Sequence, residues 1–206
     1  MALNAISPLG LIRSNQMVGA PTYGLSAYKI KNGYTANIGI GDLVRTGGAG
    51  VNQGEVIIAA LNDTSFLGVF AGVYPYYDVN FQQTMHGQNG AYKVGAAPPT
   101  GVDIPCAVID DPFTTYRAQV QGGPWSETWR GQNINWLTGT NGAPNAAGLS
   151  TMLLDGASIN TTAALPLRIV GLAGVAGGPQ DPTNTNPWIL VRINASLVEN
   201  LQGLGI

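Results

Sequence analysis

Charge is scarce in this sequence. Lysine and arginine together number 9 and aspartate and glutamate 11 in 206 residues, so about one residue in ten is charged and the net charge is −2. An ordinary soluble domain carries about 25%. The basic residues are also scattered along the chain, and Lys29 and Lys31 are the densest group. That excludes a contiguous basic run for phosphates and argues against nucleic acid as a partner. It argues equally against an electrostatic membrane anchor.

Chemistry-bearing residues are scarce too. The single cysteine, Cys106, permits no intrachain disulfide. It lies in the apolar run Ile104-Pro105-Cys106-Ala107-Val108-Ile109 and reads as a small buried hydrophobe. The single histidine, His86, has no cysteine partners for a structural zinc site. A Ser-His-Asp arrangement needs only one histidine, but no GxSxG elbow is present. No GxxxxGK[ST] phosphate loop occurs, and GIGDLVRTGGAG lacks the following helix that a dinucleotide site requires. The expectation is no cofactor, no metal and no enzyme. Asn62, Asn160 and Asn194 start glycosylation sequons, which chance explains in so Asn- and Thr-rich a chain. The segment MALNAISPLGLIRSNQ has neither the basic nor the apolar region of a secretory signal. The uncharged stretch 131–154 is interrupted by asparagines and glycines and does not read as a membrane helix.

What replaces charge is glycine, of which there are 29, with asparagine, glutamine, threonine and serine. Apolar residues make up 45%, so the chain has neither the low hydrophobicity nor the high net charge of disorder. It should fold as one large domain. A neutral polar surface suits broad contact with other protein, because charge is depleted from interface cores. A neutral extracellular β-protein is the plainer reading, and both remain open at this point.

Residues 1–22 read as an extended arm, punctuated by proline and glycine. Its apolar residues Leu3, Ile6, Leu9, Leu11 and Ile12 imply docking on a neighbour. Residues 23–206 read as a β-rich domain. YGLSAYKIK and ANIGIGDLVRT flank Asn32-Gly33, a tight-turn signal. EVIIAAL, FLGVFAGVY, AYKVG, IPCAVI, FTTYRAQV, LPLRIVGLAG and PWILVRINAS add further strands. Gly68 and Gly72 inside a strand signal bulges or close backbone approach. Residues 75–90 read as a long exposed polar and aromatic loop. SETWRGQNINWL reads as a short helix capped by Ser126, and 151–162 as a helical turn or a short strand. The fold expectation is all-β: a single antiparallel β-sandwich or barrel-like domain with an extended N-terminal arm, long loops and at most one or two short helices.

Two features invite a chemical reading. Asp110-Asp111-Pro112 could be an acid pair. However, Asp-Pro commonly starts a turn, and consecutive strand residues point to opposite faces. A turn is expected, not two carboxylates facing one substrate. Tyr74, Tyr76, Tyr77 and Phe81, with Trp125 and Trp129, could stack on a sugar or anchor a protein interface, where tyrosine and tryptophan are enriched.

Taken in order, the pieces form a pattern. The arm leads to YGLSAYKIK, then Ile40-Gly41-Asp42-Leu43-Val44, then Leu67-Gly68-Val69-Phe70. IPCAVIDDPFTTYRAQV, LPLRIVGL and WILVRIN complete it. The sequence from about residue 20 onward resembles the capsid decoration (cement) proteins of tailed bacteriophages, by pattern and order and not by any chemical motif. The stretch 125–136 aligns least. The resemblance implies a protein made in the host cytoplasm and placed on the outer surface of the virion. There it would bind the major capsid protein, cement neighbouring subunits and act as a homo-dimer or homo-trimer. The contact residues expected for such a role, taken from the apolar arm and the exposed aromatics, are Leu3, Ile6, Leu9, Leu11, Ile12, Tyr76, Tyr77, Phe81, Trp125 and Trp129. Other virion roles (tail tube, head completion, fibre) and a carbohydrate-binding β-sandwich are the alternatives. A major capsid protein is disfavoured, since no amphipathic run is long enough for a spine helix.

Overall fold

The computed structural model describes residues 9–14, 25–48, 54–78, 83–85, 90–94, 101–174, 182–183, 185–194 and 197–198. The described strands are β1 (Ile12–Arg13), β2 (Leu25–Ile30), β3 (Leu43–Thr46), β4 (Val56–Ile58), β5 (Gly68–Val73), β6 (Tyr76–Asp78), β7 (Gln83–Met85), β8 (Ile104–Ile109), β9 (Tyr116–Gln121), β10 (Asn133–Trp136), β11 (Leu154–Asn160), β12 (Leu167–Leu172) and β13 (Trp188–Ile193). The fold is all-β. A single 3-10 turn, Glu127–Trp129, is the described helical element with a defined cap.

Five strands close on themselves. β9 pairs with β11, β11 with β10, β10 with β12, β12 with β13, and β13 returns to β9. Closure leaves none of these five as a bare edge. β9–β11 is parallel, with Leu154 opposite Val120, and is the exception to the antiparallel pattern. Alternation sorts the residues of each strand: Tyr116, Ala118 and Val120 of β9, Leu167 and Ile169 of β12, and Ile189, Val191 and Ile193 of β13 are buried inside.

The second sheet runs β2-β8-β5-β3-β4, antiparallel throughout. One face builds its own core from Ile30, Val44, Val56, Phe70, Ile104, Cys106 and Val108, closed over by Ile38 and Tyr92. The other face sends Leu43 and Val69 into the barrel's cluster, with Leu11 and Phe66. Phe66 meets Trp136 edge-on at 6.0 Å between ring centres. The two sheets therefore share one continuous apolar layer.

Several expectations change. Leu11 of the arm does not await a neighbour: it is buried in the chain's own core. Ile12 and Arg13 pair with Arg117 and Tyr116 as an added strand on β9. Asn32-Gly33 does make a turn, closed by Tyr34 N–H to Lys31 O. It does not make a hairpin, because β2 pairs with β8 across the full run Leu25–Ile30. AYKVG contributes only a bridge, Tyr92 opposite Ile38. Within 75–90 the expected loop holds a hairpin, β6 against β7, with Tyr76 opposite Met85 and Tyr77 opposite Thr84. Ser126 does cap a helical turn, but Gly131 at φ +81° redirects the chain. Asn133–Trp136 then becomes a strand, because Ile134 and Trp136, two apart, both point inward. The segment 151–162 resolves as strand β11. Gly68 behaves as expected: a Cβ there would lie 2.2 Å from Ile109 O. Gly72, at φ +128°, sits at the register shift between β5 and β8.

Candidate functional site

The acidic pair is taken apart by the fold. Asp110 accepts a hydrogen bond from the Tyr28 hydroxyl at 2.8 Å, back across β2. Asp111 turns into its own loop, accepting from Phe113 N at 2.9 Å and from the Thr114 hydroxyl at 3.0 Å. This is a side-chain-closed Asx turn. It leaves Phe113 at the tip, 69% exposed. The two carboxylates accept these hydrogen bonds from separate partners, one across to β2 and one within the turn.

The most buried polar constellation lies where the sheets join. Asp42 opens β3 and is fully buried. Its Oδ2 accepts from Gly39 N at 2.6 Å, and the Gly142 amide also donates to the carboxylate. The Ser150 hydroxyl donates to Oδ1 and accepts from Met152 N at 3.0 Å. Burial raises the Asp42 carboxyl to about 6, and these hydrogen bonds hold it from rising further. Asn141 works beside it. Its side chain accepts from Leu43 N at 3.0 Å and donates to Leu43 O and Ala59 O at 3.1 and 2.9 Å. The amide thus bridges the start of β3 and the residue after β4, just beyond the last β3–β4 pair. Backbone bonds Ile40 N to Gly148 O, Ser150 N to Ile40 O and Leu11 N to Gly41 O finish the joint. Loop 137–153, loop 38–42 and the arm are thereby locked to one another. These contacts organise backbone. Among the described residues, no group of three or more His, Cys, Asp or Glu could hold a metal ion.

The outer face is built differently. Trp125 and Trp129 stand edge to face at 5.7 Å and are half-buried against the barrel's core. The Trp125 indole N–H donates to Glu127 Oε1 at 3.0 Å, and Arg130 grips Oε2 at 3.0 Å. The indole bond, with the arginine behind it, holds the Glu127 carboxyl below its usual range. Arg130 also reaches Val170 O at 2.9 Å, fixing the turn to β12. Beside it, the outward residues of β9, β13 and β12 include Arg117, Trp188, Arg192 and Arg168. The Arg117 guanidinium lies over the Trp188 ring at 5.3 Å.

Of the contact residues expected from sequence, Trp125 and Trp129 come together here. Leu9 and Ile12 are half-buried and lie far from them in topology, along the joint and on β1, while Leu11 is core. Tyr76 and Tyr77 share the β6–β7 hairpin. Leu3, Ile6, Phe81 and His86 fall outside the described residues. Sequence reading missed Asp42 and Asn141. The available signal was a lone carboxylate between apolar neighbours in IGDLV, and an asparagine in the turn TNG. It also missed the arginine group, whose members are dispersed in sequence.

No protein-family model matches this sequence, and no curated protein and no solved structure matches it either.

Proposed function

We propose that this chain is a structural, protein-binding component of a virion: a decoration protein that binds the outside of an icosahedral head and cements major capsid subunits. The observation that carries the reading is how polar groups are divided between inside and outside. At the joint, Asp42, Ser150 and Asn141 are committed to loop backbone. Outside, a rigid barrel wall offers tryptophan and arginine, the side chains enriched at protein hot spots. The resemblance in segment order to phage cement proteins, read from the sequence alone, points the same way. A standard interface of about 1,600 Å² per joint, repeated over a shell, gives avidity to individually weak contacts.

The partners are the major capsid protein and further copies of this chain as a dimer or trimer. The role needs no catalytic step and no cofactor. It is tested by counting copies of the chain per purified particle against the major capsid protein. Hundreds of copies support cementing, whereas a handful indicates a tail, completion or fibre role.

A further inference from the structure

Three of the nine basic residues, Arg117, Arg168 and Arg192, lie on adjacent strands of one barrel wall although they are dispersed in sequence, and a fourth, Arg130, reaches that wall through Val170 O. Arg168 and Arg192 are direct partners in the β12–β13 pair. Both point outward, since Leu167, Ile169, Val191 and Ile193 on either side point in. Directly opposed side chains in an antiparallel pair have Cβ atoms about 5 Å apart, and like charges there are destabilising. Arg117 opposes Leu190, two residues from Arg192, and so continues the group onto β9.

The charges on this wall are unevenly answered. Arg130 has Glu127. Among the described residues, Arg117 and Arg168 make no ion pair. Two of the guanidinium groups are nevertheless positioned. Arg117 rests on Trp188, and Arg192 donates through Nε to the Thr115 hydroxyl at 3.0 Å. Half-buried Leu190 and Val170 lie between the charges. Planar, pre-oriented guanidinium forks beside tryptophan and aliphatic surface match carboxylates presented by protein.

We propose that the β9–β13–β12 wall is a docking surface for carboxylates on a partner protein, received by Arg117, Arg168 and Arg192 beside Trp188. A phosphate backbone fits less well. The group spans three strands, only about 10 Å of sheet, on a chain of net charge −2, where nucleic acid calls for an extended basic track. The inference deepens the virion reading by naming what the wall would meet on a capsid subunit.

The test uses the full chain, with poly-glutamate peptide as the carboxylate probe and a single-stranded DNA oligonucleotide as the rival, by calorimetric titration. Wild type binds poly-glutamate, and affinity falls at least about tenfold in the Arg117→Gln/Arg168→Gln double variant. Wild-type affinity also falls steeply from about 0.05 M to about 0.5 M salt, a readout that requires no variant. A Lys93→Gln control leaves binding unchanged. No binding of poly-glutamate, equal binding by the double variant, salt-independent binding, or tighter binding of DNA each overturns the inference. A parallel arm uses expanded capsid shells. If wild type and double variant sediment with shells equally, the wall is not the docking surface and the virion reading stands. If wild type ignores shells yet the poly-glutamate result holds, the virion reading falls and the carboxylate surface stands.

Discussion

Ser150 donates its hydroxyl hydrogen bond to Asp42 from 108 positions along the chain. That one contact ties loop 137–153 to the start of β3, and Gly39, Gly142 and Met152 amides gather around it. All of these partners are uncharged. The folded carboxyl is raised from 3.8 to about 6, so the native state binds the proton more tightly than the unfolded chain. The stabilising contribution of protonation is complete below about pH 4 and is lost as pH rises through about 6. The full swing is about 3 kcal/mol. Asp42→Asn imitates the protonated acid: its carbonyl can face the Gly39 and Gly142 amides while its NH2 faces Ser150. Denaturant titrations of wild type should lose this contribution between pH 4 and 7, and those of Asp42→Asn should lack it. Identical profiles for the two proteins would contradict the assignment.

Asn141 ties the start of β3 to the residue after β4 with three hydrogen bonds to Leu43 and Ala59. Asn141→Ala should lower unfolding stability by about 2–4 kcal/mol, since each lost bond is worth about 1 kcal/mol and Leu43 N–H loses its acceptor, although Leu43 O keeps the Ala59 amide. Asn141→Asp should cost a similar amount, because a carboxylate cannot donate to the two carbonyls. Urea midpoints for both variants check this.

Gly10 approaches the same joint from the arm. It has φ +66°, and a Cβ on it would lie 2.4 Å from Ser150 Cβ and 2.8 Å from Gly41 O. Gly10→Ala therefore has to displace backbone as well as adopt a strained conformation. A loss of at least about 2 kcal/mol is expected by thermal unfolding. A neutral result would mean that the arm does not occupy this groove in solution.

Cys106 faces the inner core of the second sheet, fully buried between Ile104 and Val108. Burial pushes its thiol up to about 12. Thiol reagents at pH 8 should leave the native protein unlabelled and label it completely in denaturant. Native labelling at the rate of a free thiol would place Cys106 outside the core.

How much of this was legible depends on how local the cause is. The Asp111 turn was readable because the side chain closes it within three residues. Strands β2, β5, β8, β9, β12 and β13 announced themselves by β-branched residues and alternation. Gly68 and Gly72 marked a close approach and a bulge for the same local reason. The helix expected across 127–137 failed because Ser126 signals a start, while only Gly131 and the spacing of Ile134 and Trp136 signal how soon it stops. Leu11 looked like an arm residue without a home. Its burial rests on a groove made by Gly41 and Ser150, residues distant in sequence. The parallel β9–β11 pair and the gathering of four arginines are products of barrel closure, which no local pattern encodes.

We propose that this chain binds and bridges capsid subunits. The most direct test is a saturation curve of purified protein co-sedimenting with expanded, DNA-free capsid shells, with copies per shell counted at the plateau. The account predicts saturable binding at hundreds of copies per shell, together with little binding to isolated capsid subunits. Absence of binding to shells at any protein concentration would contradict it.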